Sequence, residues 1–334
     1  MTVREPKPSW QDVPEALRQS LERIAGAPIA DAQIIWGGYG PSATFVLTTA
    51  TGERLFCKGT HPGQTELGHR ALLRERQNYE RFAQIAQFGP AYRGGADHGD
   101  WHLAVLDFVP RRYSVPPWTA EALAAAFALI VRLHRDAPVD DAPRPLAELL
   151  GEQLAQGWTS LLCDAAARER FLALFANGGD AAHWFARHGE RLADMAANVA
   201  AVGGPRSWVH MDIRSDNLVF AERAMLVDWP SLSHGAVLVD VAGFLPSLEG
   251  EGGPCCADAL RRYEDEAGVR FAAEDVAVAA AFVAGFFAAR AGEPEIAGLP
   301  RLRWVQRLQL FPALRWLCQA ARIGLPPLHR AVQA

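Results

Sequence analysis

The sequence predicts an α+β chain in two lobes: a small β-rich N-terminal lobe with one long helix, then a larger and mostly helical lobe. Three observations predict it. Short β-rich runs separated by turn residues lie before residue 60, apolar residues recur at helical spacing through most of the chain after residue 119, and 334 residues exceed what one core usually serves. Half of the residues are apolar and 21% are charged, the balance of a folded chain. With 33 Lys+Arg against 38 Asp+Glu the formal charge is −5, which gives no general attraction to DNA or RNA.

Residues 14–25 read as a short amphipathic helix with Leu17, Leu21 and Ile24 on one stripe. The runs 33–36, 44–48 and 54–58 are β-rich, and the Gly37-Gly-Tyr-Gly-Pro and Thr51-Gly52 turns between them make a three-stranded antiparallel meander. A helix is predicted over 66–87, ending at Gly89-Pro90, and a further strand over 102–109. The N-terminal lobe therefore covers 1–107 and the helical lobe 108–334. In the latter, 119–134 begins at an N-cap with Glu121 in its first turn, and further helical patterns cover 146–160, 180–202, 256–267, 273–290 and 299–321. One β-rich island interrupts them at 208–228.

The longest apolar stretch, 276–289, is bounded by Asp275 and Arg290 and falls short of the roughly 20 residues a membrane span needs, so a buried core helix is expected. Residues 1–10 carry two prolines and no apolar run, unlike a secretory signal. Five cysteines without a C-x-x-C spacing read as reduced core or loop residues. A cytoplasmic protein, a monomer or homodimer with no membrane or nucleic-acid partner, is the expectation.

The β island carries the chemistry. It reads His210-Met-Asp212-Ile-Arg214-Ser-Asp-Asn217, then Asp228 at the end of an apolar run. Phosphoryl transfer from a nucleotide needs a carboxylate to orient and deprotonate the attacking hydroxyl, and oxygen ligands for Mg²⁺ on the phosphates. Asp212 suits the first role, Asn217 and Asp228 the second. Each also has a structural reading: His210 as a core histidine, Asn217 as a turn residue, Asp228 as a helix cap. Lys58 ends the third predicted strand, where an inward ammonium reaches nucleotide phosphates. On the next helix Leu72, Glu75, Tyr79, Phe82 and Ala86 share a face, and Glu75 is its only carboxylate. A carboxylate on an apolar face requires a partner, and Lys58 is the natural one; an interlobe arginine or simple exposure are the alternatives. Gly38 and Gly40 allow backbone N–H groups to close over phosphates, with Ser42 adding a hydroxyl, although an ordinary β-turn looks the same. Neither G-x-G-x-x-G nor G-K-[ST] occurs, which disfavours Rossmann and P-loop enzymes.

With these residues in place, the sequence resembles the aminoglycoside phosphotransferase/choline kinase-like family, small-molecule kinases with a protein-kinase-like bilobal fold. The resemblance runs from the Gly37 loop to the Trp316 region and is most specific at H-x-D-x₄-N…D. It implies transfer of the γ-phosphate of ATP or GTP, with Mg²⁺, to the hydroxyl of a small molecule. By resemblance Asp212 is the catalytic base, Asn217 and Asp228 the metal ligands, Lys58 the phosphate-binding lysine and Glu75 its partner. The 106–109 stretch is the interlobe hinge, where backbone groups at Asp107 and Val109 receive the adenine. Leu133-His134 resembles the Leu-His ending the family's first large-lobe helix, and Asp240 the Asp of its D-L-A element near the catalytic loop. Met211 stands where the family often has Gly. Arg214 occupies the place of a protein-kinase Lys and stabilises the transferring phosphoryl group on one reading, or is a surface arginine on the other. Trp229-Pro230 follows Asp228 and no A-P-E occurs, which disfavours protein substrates.

For the acceptor, Glu249 and Glu251 in a Gly-rich loop either border the cleft or are merely solvated; Glu264-Asp265-Glu266 reads as a salt-bridged face. Trp304 and Trp316 are candidates for a pocket wall. An antibiotic-modifying enzyme, a metabolite kinase of choline, homoserine or sugar type, and a non-catalytic nucleotide-binding pseudokinase all remain open at this point.

Overall fold

The computed structural model describes residues 5–36, 40–138, 142–151 and 156–327. The chain divides into two compact units. One gathers Met1–Ser114, Asp216–Leu232 and Ile296–Pro300; the other gathers Val115–Ser215, Ser233–Glu295 and Arg301–Ala334.

The first unit is built on a five-stranded antiparallel sheet of β1 (Ile29–Ile34), β2 (Ala43–Thr49), β3 (Arg54–Thr60), β4 (Tyr92–His98) and β5 (Trp101–Asp107), in the order β1-β2-β3-β5-β4. Its register separates two faces. Phe45 pairs with Cys57 and Leu47 with Leu55, placing these side chains together on one face; Thr44 pairs with Lys58 and Lys58 with Ala104 on the other. The apolar face is closed by α1 (Glu15–Ala25), whose stripe of Leu17 and Leu21 packs with Val13 into one cluster with Phe45, Leu47, Cys57, Leu103 and Val105. Gly26 stops that helix in the left-handed conformation at φ 72°. Each fully buried Leu on α1 contributes about 1.5–3 kcal/mol.

On the opposite face lies α2 (Glu66–Arg81), started by Thr65, whose hydroxyl accepts from the Gly68 N–H at 3.2 Å. The pattern predicted as one helix over 66–87 is a helix to Arg81 followed by a 3₁₀ turn, Ala83–Gln87. The first strand runs over 29–34 rather than 33–36, and Ile35 and Trp36 beyond it are exposed. Strand β4 has no counterpart in the apolar pattern, because Arg-Gly-Gly-Ala-Asp-His forms an edge strand with most side chains outside the core. A short hairpin, β6 (Leu218–Phe220) and β7 (Ala224–Leu226), completes this unit.

The second unit is helical: α3 (Ala120–Asp136), α4 (Leu146–Leu149), α5 (Gly157–Cys163), α6 (Ala165–Leu172), α7 (Gly178–Ala197), α8 (Val237–Gly250), α9 (Cys256–Ala267), α10 (Ala273–Ala288) and α11 (Leu302–Ala321). A two-stranded ribbon, β8 (Arg206–Val209) with β9 (Ser233–Ala236), lies among them. The apolar 276–289 stretch becomes α10, a buried helix rich in alanine. It meets α5 backbone to backbone: a Cβ on Gly157 would overlap the Gly285 carbonyl, so glycine is required there. Among the described residues, no helix is long and apolar enough to cross a membrane.

Helix α8 corrects the loop expected around Glu249 and Glu251. Glu249 belongs to the helix and Glu251 caps its end. Eleven of its residues are buried, including Pro246, so neither amphipathic periodicity nor propensity announces it.

Candidate active site

Lys58 lies on the polar face of β3, and its ammonium is held by two carboxylates. Glu75 Oε2 from α2 is 2.9 Å away, and Asp228 Oδ1 from the segment after β7 forms a second, short ion pair. Burial opposes the charge on Lys58, but Asp228 and Glu75 more than offset it and hold its pKa above the usual lysine value. The other oxygen of Glu75 accepts from the Trp229 N–H at 3.4 Å, and Asn78 Nδ2, one turn further along α2, donates to the Trp229 carbonyl at 2.8 Å. Glu75 and Asn78 thus anchor the backbone just after Asp228, itself at φ 71°, a conformation that Asp tolerates better than most side chains.

Asn217 and Asp228 are 11 positions apart because an antiparallel hairpin joins them. Leu218 pairs with Leu226, and the Val227 N–H donates to the Asn217 carbonyl at 3.0 Å. The two candidate metal ligands therefore stand at the same end of one hairpin, with Asn217 buried. Among the described residues, no group of three or more His, Cys, Asp or Glu is gathered as a metal site.

Asp212 and Arg214 belong to the second unit. Asp212 is about one-third exposed, with Arg214 Nη1 at 3.2 Å from its Oδ1. The segment leading to Asp212 is fixed from α8. Asp240 accepts from the His210 N–H at 2.9 Å through Oδ2 and from the Met211 N–H at 2.6 Å through Oδ1. His134 Nε2 at the end of α3 adds a third contact to Asp240, at 3.0 Å. Burial raises the pKa of Asp240, but His134 and His210 outweigh it and the carboxyl sits below its ordinary value. Further along, Ser215 Oγ donates to Glu251 Oε1 at 2.6 Å.

Gly38 lies outside the described residues, so its place in the glycine hairpin is not part of the geometry. Gly40 and Ser42 are described, and beside them stands a cation that the motifs did not announce. Lys7 Nζ donates to the Ser42 carbonyl at 3.3 Å and to Thr44 Oγ1 at 2.7 Å, and Thr44 Oγ1 donates in turn to the Ile35 carbonyl at 2.8 Å. Thr44 is the cross-strand neighbour of Lys58, so Lys7 reaches the polar face of the sheet. Its Pro-flanked segment carries no periodic pattern; only the charge itself could have flagged it. Asp107 ends β5, its N–H donating to the Ala91 carbonyl at 2.9 Å and its side chain paired with Arg93. Val109 follows two residues beyond the strand end.

Most of the acceptor candidates are engaged internally. Glu249 pairs with Arg315 at 2.6 Å and accepts from the Cys256 N–H at 2.8 Å, capping α9. Glu251 accepts from Trp118 Nε1 at 3.0 Å as well as from Ser215. Asp265 pairs with Arg270 and Glu266 with Arg262 on a salt-bridged face, whereas Glu264 departs from that expectation: it is buried and accepts from the Phe271 N–H at 2.9 Å. Trp316 is buried in the helical core, whereas Trp304 is 58% exposed.

A family model described as the phosphotransferase enzyme family matches residues 31–304. None of the curated proteins matches the chain by sequence. Among solved structures, the chain is similar to an aminoglycoside-3'-phosphotransferase of type VIII, with 20% identity, 82% of this chain and 100% of that one covered, and a TM-score of 0.53. A thermostable mutant of aminoglycoside phosphotransferase APH(4)-Ia, in ternary complex with ADP and hygromycin B, is similar at 13% identity, covering 90% and 98% of the two chains with a TM-score of 0.56. The choline kinase LicA from Streptococcus pneumoniae is similar at 12% identity, covering 91% and 98% with a TM-score of 0.53. These likenesses show the fold, a mixed α/β architecture of protein-kinase-like type.

Proposed function

The chain belongs to the phosphotransferase enzyme family, and from that premise we propose that it transfers the γ-phosphate of ATP or GTP to a hydroxyl of a small molecule. The observation that carries this reading is Lys58 held between Glu75 and Asp228, with Asn217 at the same end of the hairpin that ends in Asp228. A half-buried lysine held charged by two carboxylates is suited to phosphate oxygens, and the retained Lys58, Asp212, Asn217 and Asp228 argue for a working enzyme over a pseudokinase. The ADP in the APH(4)-Ia complex supports a nucleotide as donor.

Two oxygen donors without a third carboxylate or imidazole fit Mg²⁺, which takes its remaining ligands from phosphates and water. Bound by Asn217 and Asp228, it would neutralise phosphate charge. The other work falls to the chain's own side chains. Lys58, aimed by Glu75, would bind phosphate oxygens. Gly38, Gly40 and Ser42 would close over them, and the backbone at Asp107 and Val109 would receive the base. Asp212 would accept the proton of the acceptor hydroxyl as its oxygen bonds to the γ-phosphorus and the bond to the nucleoside diphosphate breaks. Arg214 would stabilise the charge on the phosphoryl group in flight.

The acceptor is read as a hydroxyl-bearing small molecule, with aminoglycosides as one class and metabolites of choline, homoserine or sugar type as another. The contacts of Glu249 and Glu251 weigh against these two as a pair reserved for a polycation. Five free cysteines suit the reducing cytoplasm, where we place the reaction. The decisive experiment is Mg²⁺-dependent nucleotide turnover by the wild type and Asp212→Ala. A fall of about 10²-fold or more is expected, and equal rates would sink the catalytic reading. A hydroxyl-bearing compound library then identifies the acceptor, and aminoglycoside resistance of an expressing sensitive host tests that class.

A further inference from the structure

We propose that Tyr263 is a positioning residue for the segment that carries Asp212, acting through His134 and Asp240; this rests on Asp212 being the base of the proposed reaction. No motif points to Tyr263, which lies on α9 far along the chain from 210–217. The connection is made of four hydrogen bonds. Tyr263 Oη lies 2.8 Å from His134 Nδ1, His134 Nε2 lies 3.0 Å from Asp240 Oδ2, and the two Asp240 oxygens accept the His210 and Met211 N–H groups at 2.9 and 2.6 Å.

The chemistry of the groups fixes the direction at Asp240. A carboxylate only accepts, so His134 donates through Nε2. At the other ring nitrogen the Tyr263 hydroxyl is the partner in either charge state: it donates to Nδ1 of the neutral imidazole and accepts from Nδ1–H of the imidazolium. Tyr263 is 1% exposed and the His134 side chain 4%, so water cannot replace that hydroxyl without rearrangement. The tyrosine ring is itself fixed, stacked on Phe271 at 6.2 Å and edge-on to His134. Without the hydroxyl, the imidazole either leaves Nδ1 unsatisfied or moves its proton there and turns a lone pair toward Asp240. Either outcome frees the carboxylate to rotate.

The carboxylate matters because of what it holds. Met211 has φ 64°, the left-handed conformation that a side chain with a Cβ adopts only at a cost. Asp240 grips the N–H of Met211 and the one before it, and Asp212 is the next residue. The Asp240 clamp thus holds the turn that presents the proposed base, and Tyr263 locks the clamp from behind.

The test compares wild type, Tyr263→Phe, Met211→Gly and the double variant. The first readout is phosphate release from Mg·ATP or Mg·GTP with water as acceptor, using whichever nucleotide the wild type turns over. The second, independent of activity, is hydrogen exchange at the His210 and Met211 amides. Tyr263→Phe is expected to lower kcat about tenfold with nucleotide KM within about twofold, and to speed exchange at both amides about tenfold. Adding Met211→Gly to Tyr263→Phe should bring kcat within about threefold of Met211→Gly alone, because glycine holds the positive φ unaided. A general loss of packing would not show this split or this rescue. Tyr263→Phe with wild-type kcat and wild-type exchange overturns the inference. A wild type that turns over neither nucleotide with water or with any compound of the hydroxyl-bearing library defeats the kinase reading instead, and the amide exchange then still decides whether Tyr263 positions the turn.

Discussion

Glu75 joins Lys58 to the backbone of Trp229 through a single carboxylate, one oxygen 2.9 Å from the ammonium and the other 3.4 Å from the N–H. The ion pair depends on its charge and both contacts on its place one turn from Asn78, so Lys58 and the Trp229 backbone are held by α2 as much as by the sheet. Glu75→Gln keeps the size and removes the charge. Nucleotide turnover is expected to fall about tenfold or more, and the unfolding free energy by about 1–3 kcal/mol, since Asp228 still pairs with Lys58. Urea unfolding together with steady-state kinetics checks both; an unchanged variant would mean the pair does not aim the lysine.

Lys7 ties the root of the glycine hairpin from a segment that precedes the family match, which begins at residue 31. Lys7→Met removes the ammonium and keeps most of the stem. Nucleotide KM should rise about three- to tenfold with kcat changed less, because Ser42 and Thr44 would be held less well before the nucleotide arrives. The KM-against-kcat split in steady-state assays is the measurement, and a matching fall in both would contradict this account.

Asp240 couples stability to acid. Its folded pKa lies below the ordinary value of 3.8, so the unfolded chain takes up the proton first as pH falls. Its contribution is complete above about pH 4–5 and is lost as pH drops through the folded pKa. Urea midpoints measured from pH 6 to strongly acidic conditions should show the wild type losing its margin over Asp240→Asn below about pH 4. A constant margin would show that the charge of Asp240 does not stabilise the fold.

The Gly157 position is set by backbone contact alone. Gly157→Ala forces a methyl into the Gly285 carbonyl on α10, and a loss of about 2–4 kcal/mol or failure to fold is expected. Thermal unfolding reads the effect, and Gly157→Ala with wild-type stability would show that α5 can shift away.

Lys58 and Glu75 were legible together because a helical stripe and a strand end constrain them, and the structure pairs them. The Asn217-to-Asp228 spacing was legible as a motif, but its cause, a hairpin that brings both to one end, emerges only from the register of Leu218 with Leu226. Helix α8 was hidden because burial on all sides removes the periodicity by which helices are recognised, and Pro246 argues against one. Strand β4 was hidden by its composition, although the Gly99-Asp100 turn before Trp101 is a hairpin signal that could have pointed to it. Lys7 and Tyr263 carry no local pattern, since what makes each matter is a contact with a residue distant in sequence.

The edges of the family match are not the edges of the folded core. Val13, Leu17 and Leu21 precede residue 31, and Leu310, Leu314 and Leu317 follow residue 304; all six are at most 1% exposed. A chain trimmed to the matched residues would bare the Phe45, Leu47 and Cys57 face of the sheet on one unit and the helical core that α11 covers on the other, leaving an apolar surface open to water on each. Each flank is part of the core of its own unit, and any shortened version for screening acceptors has to keep both.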